Sequence, residues 1–188
     1  EIRKHTDIKI HVLIRPRFGD FCYTDEEFLI IKEEVKMFRE LGADGAVVGI
    51  LRPDGTLNKE QLEELMEEAG DMSMTLHRAF DVCVDPYEAM EEAIELGFDT
   101  ILTSGQKNVC SQGTELLREL VEKSAGRIRI QAGSGVDAAV IREIYPLTNA
   151  TAYHMSGKVT LDSSMDYRKE GVNMGPPSIG KYEIWRTE

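Results

Sequence analysis

The sequence predicts an α/β protein of the (β/α)8 TIM-barrel class, and three recurring observations predict it. Short apolar segments, polar loops rich in Gly, Ser, Arg, His and Asp, and amphipathic helix patterns follow one another in that order along nearly the whole chain. The apolar cores fall at 10–14, 46–50, 74–77, 100–103, 128–131 and 151–155. Their starts lie roughly 23–36 residues apart, the spacing of parallel strands joined by crossover helices. Such sheets gather their polar loops at the carboxyl ends of the strands, where chemistry sits.

Each helix has its own punctuation. Thr24 and Glu27 form a capping box, after which Phe28, Ile31, Val35, Phe38 and Leu41 share a face. Asn58 and Gln61 make a similar start ahead of Leu62, Leu65, Met66 and Ala69. Asp85 is an N-cap with Pro86 at the first helical position, followed by Ala89, Met90, Ala93 and Ile94. Leu116, Leu117, Leu120 and Val121 mark a fourth helix; Asp137 opens a fifth with Val140, Ile141 and Ile144 inward. Leu41-Gly42-Ala43-Asp44 and Leu96-Gly97-Phe98-Asp99 occupy equivalent junctions, with Gly ending a helix and a strand starting after Asp.

The pattern spans 1–157 as one barrel domain of about six βα units. It stops at Lys158; 158–188, with Pro176, Pro177 and a strand-like run at 182–185, read as a C-terminal tail packing on the barrel or a partner subunit. The chain opens Glu1-Ile2-Arg3-Lys4-His5, without Met, like the end of a helix. An eight-stranded barrel typically needs ~250 residues. The first two βα units are therefore expected to be missing from this chain.

With 188 residues, 41% hydrophobic and 30% charged, the chain is long enough for one sizeable core. The net charge of −12 opposes nucleic acid and anionic membranes as partners. No apolar run approaches a membrane span and no signal peptide is visible. Cys22, Cys83 and Cys110 are widely spaced and odd in number, which fits reduced thiols in the cytoplasm. The eight methionines form no MxxM or MxM array and read as core packing.

Candidate chemistry lies after the strands. Arg15 and Arg17 flank a Gly19-Asp20 turn; arginine forks suit carboxylate or phosphate, and an Arg–Asp pair stiffening the loop is the competing reading. His77-Arg78-Ala79-Phe80-Asp81 ends the third strand, with alternation placing His77 and Ala79 on one face and Arg78 on the other. Thr103-Ser104-Gly105, Gly133-Ser134-Gly135 and His154-Met155-Ser156 complete the rim. The last two loops stand where barrels present backbone N–H groups to phosphate. The anion-binding candidates are thus Arg15, Arg17, Arg78, Ser104, Gly133, Ser134, Gly135, His154 and Ser156; the catalytic candidates are His77, Asp81 and Arg15. Cys22, His77 and His154 are candidates to converge on a soft metal, with Cys22 the metal-ligand candidate carried forward. Cys83 follows the His77 strand, near the rim; Cys110 precedes a helix and reads as inert.

The run Ile14-Arg15-Pro16-Arg17-Phe18-Gly19-Asp20-Phe21-Cys22-Tyr23 resembles the IRPRGGDFxY motif of the CutC copper homeostasis proteins. So do Thr75-Leu76-His77-Arg78-Ala79-Phe80-Asp81, Ile101-Leu102-Thr103-Ser104-Gly105, Gly133-Ser134-Gly135-Val136, His154-Met155-Ser156, Asp162-Ser163-Ser164-Met165 and Val172-Asn173-Met174-Gly175, in order over the whole chain. Phe18 departs from the Gly of the first motif and Ala132 from the Pro before the Gly-rich loop. The resemblance implies a cytoplasmic TIM barrel that binds copper as Cu(I), supports copper tolerance and forms homodimers or larger homo-oligomers. It implies no organic cofactor, and it places the family's main copper-ligand cysteines upstream of residue 1. The rim residues themselves suggest the alternative: an isomerase, aldolase-like enzyme or hydrolase for a small phosphorylated or anionic substrate.

Overall fold

The computed structural model describes residues 1–172, 180 and 182–187, and it divides into two units, Glu1–His154 and Met155–Glu188. In the first unit the elements run β1 His11–Leu13, α1 Asp25–Glu40, β2 Gly45–Val48, α2 Lys59–Ala69, β3 Ser73–Leu76, α3 Pro86–Leu96, β4 Thr100–Thr103, α4 Thr114–Ser124, β5 Arg129–Ala132, α5 Ala138–Thr148 and β6 Ala152–Tyr153. All six strands are parallel and stand in chain order, β1-β2-β3-β4-β5-β6. Right-handed crossovers between sequential parallel strands put every helix on one face, and each helix here touches the next. The result is an α/β fold built on a curled parallel sheet, TIM-barrel-like in its order.

The core forms where helix stripes meet the strands. Ile31 and Val35, Leu62 and Leu65, Met90 and Ala93, and Leu117 and Leu120 are buried against Ala46, Val48, Met74, Leu76, Ile101 and Ile130. Each large side chain so buried contributes about 1.5–3 kcal/mol. The caps follow the sequence. Thr24 Oγ1 accepts from the Glu27 amide, and Glu27 Oε2 accepts from the Thr24 amide. Asp85 Oδ1 accepts from the Tyr87 and Glu88 amides.

The repeated junction has a physical reason beyond helix termination. Asp44 Oδ2 accepts from the Ile10 amide at 2.7 Å, just ahead of β1. Asp99 Oδ2 accepts from the Met74 amide at 2.8 Å and from Ser73 Oγ at 3.0 Å, at the start of β3. Each aspartate thus leaves a helix-ending glycine and ties down the beginning of the preceding strand.

Three expectations need correction. Leu41 is 66% exposed, because α1 stops at Glu40 and Leu41 sits at the C-cap beyond the last buried turn. In α5 only Ile144 of the three expected residues is buried; α5 packs mainly beside α4, with the short 3-10 turn at Cys110–Gln112 also against it, and Val140 and Ile141 are partly open. The strand before His77 ends at Leu76, and His77 caps a 3-10 helix at Arg78–Val82, so strand alternation does not govern residues 77–81.

The second unit contains β7 Lys158–Asp162 and β8 Glu183–Thr187, an antiparallel pair with Lys158 opposite Thr187 and Asp162 opposite Glu183. The strand-like run at 182–185 is therefore real and has a partner that the sequence pattern did not reveal. The Lys158 ammonium lies 3.4 Å from the centroid of the Trp185 ring. Residues 173–179, which include Pro176, Pro177 and the end of the Val172–Gly175 run, lie outside the described residues.

The loop after β4 closes on itself through two glycines. A Cβ on Gly113 would stand 2.1 Å from the Ser104 carbonyl oxygen, and one on Gly105, at φ +70°, would stand 2.3 Å from the Gly113 carbonyl oxygen. Both obstacles are backbone, so neither can swing aside. Gly113→Ala should cost about 2–3 kcal/mol, read as a lower urea midpoint at unchanged slope.

Candidate functional site

The in-order sheet carries the rim residues along one edge. Arg15 follows β1, His77, Arg78 and Asp81 follow β3, Ser104 follows β4, Gly133 and Ser134 follow β5, and His154 follows β6. Ser156 lies in the second unit and is exposed.

Asp81 is the most heavily used group on this edge. Its side chain is 6% exposed. Oδ1 accepts from Thr103 Oγ1 at 2.5 Å, the Ser104 amide at 3.0 Å and the Gln106 amide at 3.1 Å. Oδ2 accepts from Arg78 Nε at 2.6 Å and Ser104 Oγ at 3.0 Å. Arg78 Nη2 in turn donates to Ser104 Oγ at 2.9 Å. A carboxylate saturated in this way fixes the geometry of the loops after β3 and β4, and it has no lone pair left for a proton in flight.

The two arginines of the first loop differ sharply. Arg17 donates to Glu27 Oε1 at 2.6 Å, Asp20 Oδ1 at 2.8 Å and the Cys22 carbonyl at 2.7 Å. These contacts raise the Arg17 pKa and lower that of Asp20, and Glu27 is lowered by the Thr24 amide first and by Arg17 second. Arg17 therefore braces the loop against the start of α1. Arg15 donates to the Gly19 carbonyl at 2.8 Å and lies over the Phe21 ring at 4.5 Å, while its Nε is buried with no hydrogen-bond partner among the described residues. Phe18 is 94% exposed at the tip of the same loop.

His77 is 4% exposed. A Cβ on Gly49 would stand 2.5 Å from His77 Nδ1, so only glycine at the end of β2 admits the ring. Phe21 covers the ring at a centroid distance of 4.9 Å. Nδ1 accepts from the Ala79 amide at 3.1 Å, which assigns the proton of the neutral ring to Nε2. Burial, reinforced by the nearby Arg15 charge, pushes the His77 pKa down to about 4. The ring is a neutral donor at physiological pH, and its Nε2 has no partner among the described residues. Tyr23 was not singled out in the sequence, yet its Oη shares that condition. Burial raises the Tyr23 pKa, and the Arg15 charge partly offsets this, although no Arg15–Tyr23 pair reaches hydrogen-bond geometry. The signal for Tyr23 was its place as the last residue of the motif at 14–23.

The glycine-rich loop turns on two left-handed residues, Ser134 at φ +73° and Gly135 at +71°. Ser134 Oγ donates to the Asn108 carbonyl at 2.7 Å, and the Gly133 amide donates to the Thr103 carbonyl at 2.9 Å. The N-terminus of α5 is already filled by Asp137, whose Oδ1 accepts from Ala139 and Val140. His154 is exposed, with its amide bonded to the Ala132 carbonyl.

Cys22 is half-buried, and burial followed by the Asp20 charge raises its thiol pKa. Cys83 is buried, raised to about 12 by burial, and Gln106 Nε2 donates to its Sγ at 3.4 Å. Cys110 is buried and its thiol is also raised. Among the described residues no three His, Cys, Asp or Glu side chains group as a metal cage, so Cys22, His77 and His154 do not converge as ligands. The thiol chemistry of Cys22 suits Cu(I), and among the described residues no group of three His, Cys, Asp or Glu side chains includes it. Among the described residues no helix is long and apolar enough to cross a membrane.

The family model for the CutC family matches residues 1–159. The chain belongs to the CutC family. A CutC family protein of Bacteroides fragilis is 43% identical over 179 residues, 95% of this chain and 71% of that protein. One from Salmonella schwarzengrund is 38% identical over 188 residues, 100% of this chain and 75% of the other. A solved CutC structure from Streptococcus agalactiae, named for copper homeostasis, superposes with a TM-score of 0.75 at 32% identity, covering 78% of this chain and 72% of that one. An aldolase, QR15, superposes at 0.57 with 16% identity and shares the fold alone.

Because His77 is neutral in the folded protein and protonates below pH 6.5 in the unfolded chain, the unfolded state binds the extra proton between pH 6.5 and about 4. Stability should therefore fall as pH drops through that window and level off below it, by about 3 kcal/mol from this residue. Urea unfolding of the wild type and of His77→Gln across pH 4–7 checks this. The variant should lack that part of the slope.

Proposed function

We propose that this CutC family protein serves copper homeostasis in the cytoplasm, meeting Cu(I) as cargo through the Cys22 thiol. The observation that carries the reading is the family match over residues 1–159, joined by a relative named for copper homeostasis. Cys22 supports the assignment as the one thiol of the three that is not buried. A single thiolate without a surrounding cage suits exchange of the ion with another carrier, not storage. The six-stranded sheet is, on this proposal, part of a closed (β/α)8 barrel. The exposed edge at β1, where Leu13 is 62% and Ile8 64% exposed, supports further apolar cover, including that of a homo-oligomer.

A second reading is favoured by one particular observation. The sheet's carboxyl edge holds a braced set of cationic and neutral donors, with Arg15 Nε and His77 Nε2 left unpaired among the described residues. Such an edge suits a small anionic molecule, bound or turned over, with Arg15 neutralising charge and His77 offering a proton or a hydrogen bond.

An anaerobic Cu(I) competition titration tests the copper reading. The wild type should bind one equivalent, and Cys22→Ser should lose it. Since the Cys22 thiol is held protonated by burial and must release that proton to the metal, apparent affinity should rise about tenfold per pH unit from pH 6 to 8. Equal binding by the variant would remove Cys22 from the site.

A further inference from the structure

The loop after β1 and the end of β3 bring together polar atoms that the protein does not satisfy. Arg15 Nε, Tyr23 Oη and His77 Nε2 are all buried, and none has a hydrogen-bond partner among the described residues. Arg15 and His77 flank one aromatic ring, that of Phe21, and the Arg17 guanidinium lies 5.2 Å from the Tyr23 ring centroid on the same loop. The Arg15 guanidinium lies 4.5 Å from the Phe21 centroid, and the Phe21 and His77 rings are 4.9 Å apart. Arg15 acts electrostatically on both His77 and Tyr23. Buried polar groups in folded proteins are overwhelmingly paired, and leaving one unpaired costs on the order of 1–3 kcal/mol. Three unpaired on the loop after β1 and just past β3 call for a partner other than the chain itself.

All three atoms carry a hydrogen to donate. Arg15 Nε and the His77 Nε2 of the Nδ1-bonded tautomer are donors, and Tyr23 keeps its hydroxyl proton because burial raises its pKa. Acid side chains do not fill the position: Glu27, whose charge reaches Tyr23, gives Oε1 to Arg17 and Oε2 to the Thr24 amide. The cluster carries one formal charge, that of Arg15. A buried monoanion balances it, whereas a dianionic phosphate would leave a desolvated negative charge uncompensated. Guanidinium edges match the planar carboxylate.

We propose that Arg15, Tyr23 and His77 form a receptor for the carboxylate group of a small monoanionic molecule. This rests on the second reading above, that the sheet edge takes an anion, and it specifies which donors hold the ligand and what charge it carries. Tyr23 thereby becomes a binding residue, and the neutrality of His77 becomes a condition of recognition, since the ring donates through Nε2 without adding a second positive charge.

The test uses the full chain at pH 7 and constant chloride ionic strength, with acetate, pyruvate and inorganic phosphate as probes. The readout is the His77 ring Nε2 resonance in long-range nitrogen–proton spectra. Acetate and pyruvate should each shift that resonance saturably, and phosphate should not. Tyr23→Phe should weaken both carboxylates roughly tenfold while leaving the thermal midpoint equal or higher, because a hydroxyl without a partner is lost. Arg15→Lys should weaken them at least as much, through loss of the planar fork. A saturable phosphate response stronger than that of the carboxylates would keep the anion reading and overturn this proposal. No saturable response to any probe would overturn both. A Tyr23→Phe protein with wild-type carboxylate affinity and a lowered midpoint would show the hydroxyl to be structural and overturn the receptor as assigned.

Discussion

Asp81 is the constraint on which the candidate site depends. One carboxylate in the 3-10 turn that follows the third strand gathers donors from Arg78, Thr103, Ser104 and Gln106, so the loops after two neighbouring strands share a single rigid anchor. The loop after β4 is pinned again where Gly105 and Gly113 meet backbone to backbone. From that anchored pair the chain reaches the glycine-rich loop, whose Ser134 hydroxyl and carbonyl bond to Asn108 and Cys110. Charge that another edge would leave free for a ligand is spent here on holding the edge in shape, and Arg17 does the same for the first loop.

The two ends of the sheet divide the labour. At the amino ends, Asp44 and Asp99 accept from the Ile10 and Met74 amides and hold the starts of the neighbouring strands. At the carboxyl ends, saturated groups surround a few unsatisfied ones. The unsatisfied donors lower stability by amounts that a bound partner can restore, which is the usual relation between a functional site and its scaffold. Copper and an anion make different demands on this arrangement. Cu(I) asks for thiolates, and the three thiols here are each held toward the protonated form. An anion asks for fixed donors in a dry setting, and Arg15 and His77 supply them.

The fold was legible because its signals are local. Thr24–Glu27, Asn58–Gln61, Asp85–Pro86 and Asp137 start helices where the sequence says they do, and the repeated Leu-Gly-x-Asp junction marks the strand starts. The edge was legible in membership, because a parallel sheet in chain order sends every post-strand loop to one side. The roles within it were not. Nothing in the spacing tells that Arg17 is consumed by Glu27 while Arg15 is left with a free Nε, since both flank the same turn. His77 looked like a strand residue because it follows Met74-Thr75-Leu76 without a break; a histidine capping a 3-10 turn through Nδ1, as here toward the Ala79 amide, is a local device that the apolar run before it masks. Tyr23 entered only as the last residue of the first motif, because nothing in the spacing shows that its hydroxyl is buried without a partner. The β7 strand escaped because its partner lies beyond a long connection.

Native-state hydrogen exchange at the Ser104 and Gln106 amides tests the central claim, that the carboxyl edge is pre-organised through Asp81, most directly. Both amides donate to that carboxylate from a loop. If the edge is rigid, they should exchange only with global unfolding, at the same free energy as the Ile101 amide in β4. Exchange at rates near those of an open loop, with Ile101 still protected, would contradict the account and make the edge a mobile surface.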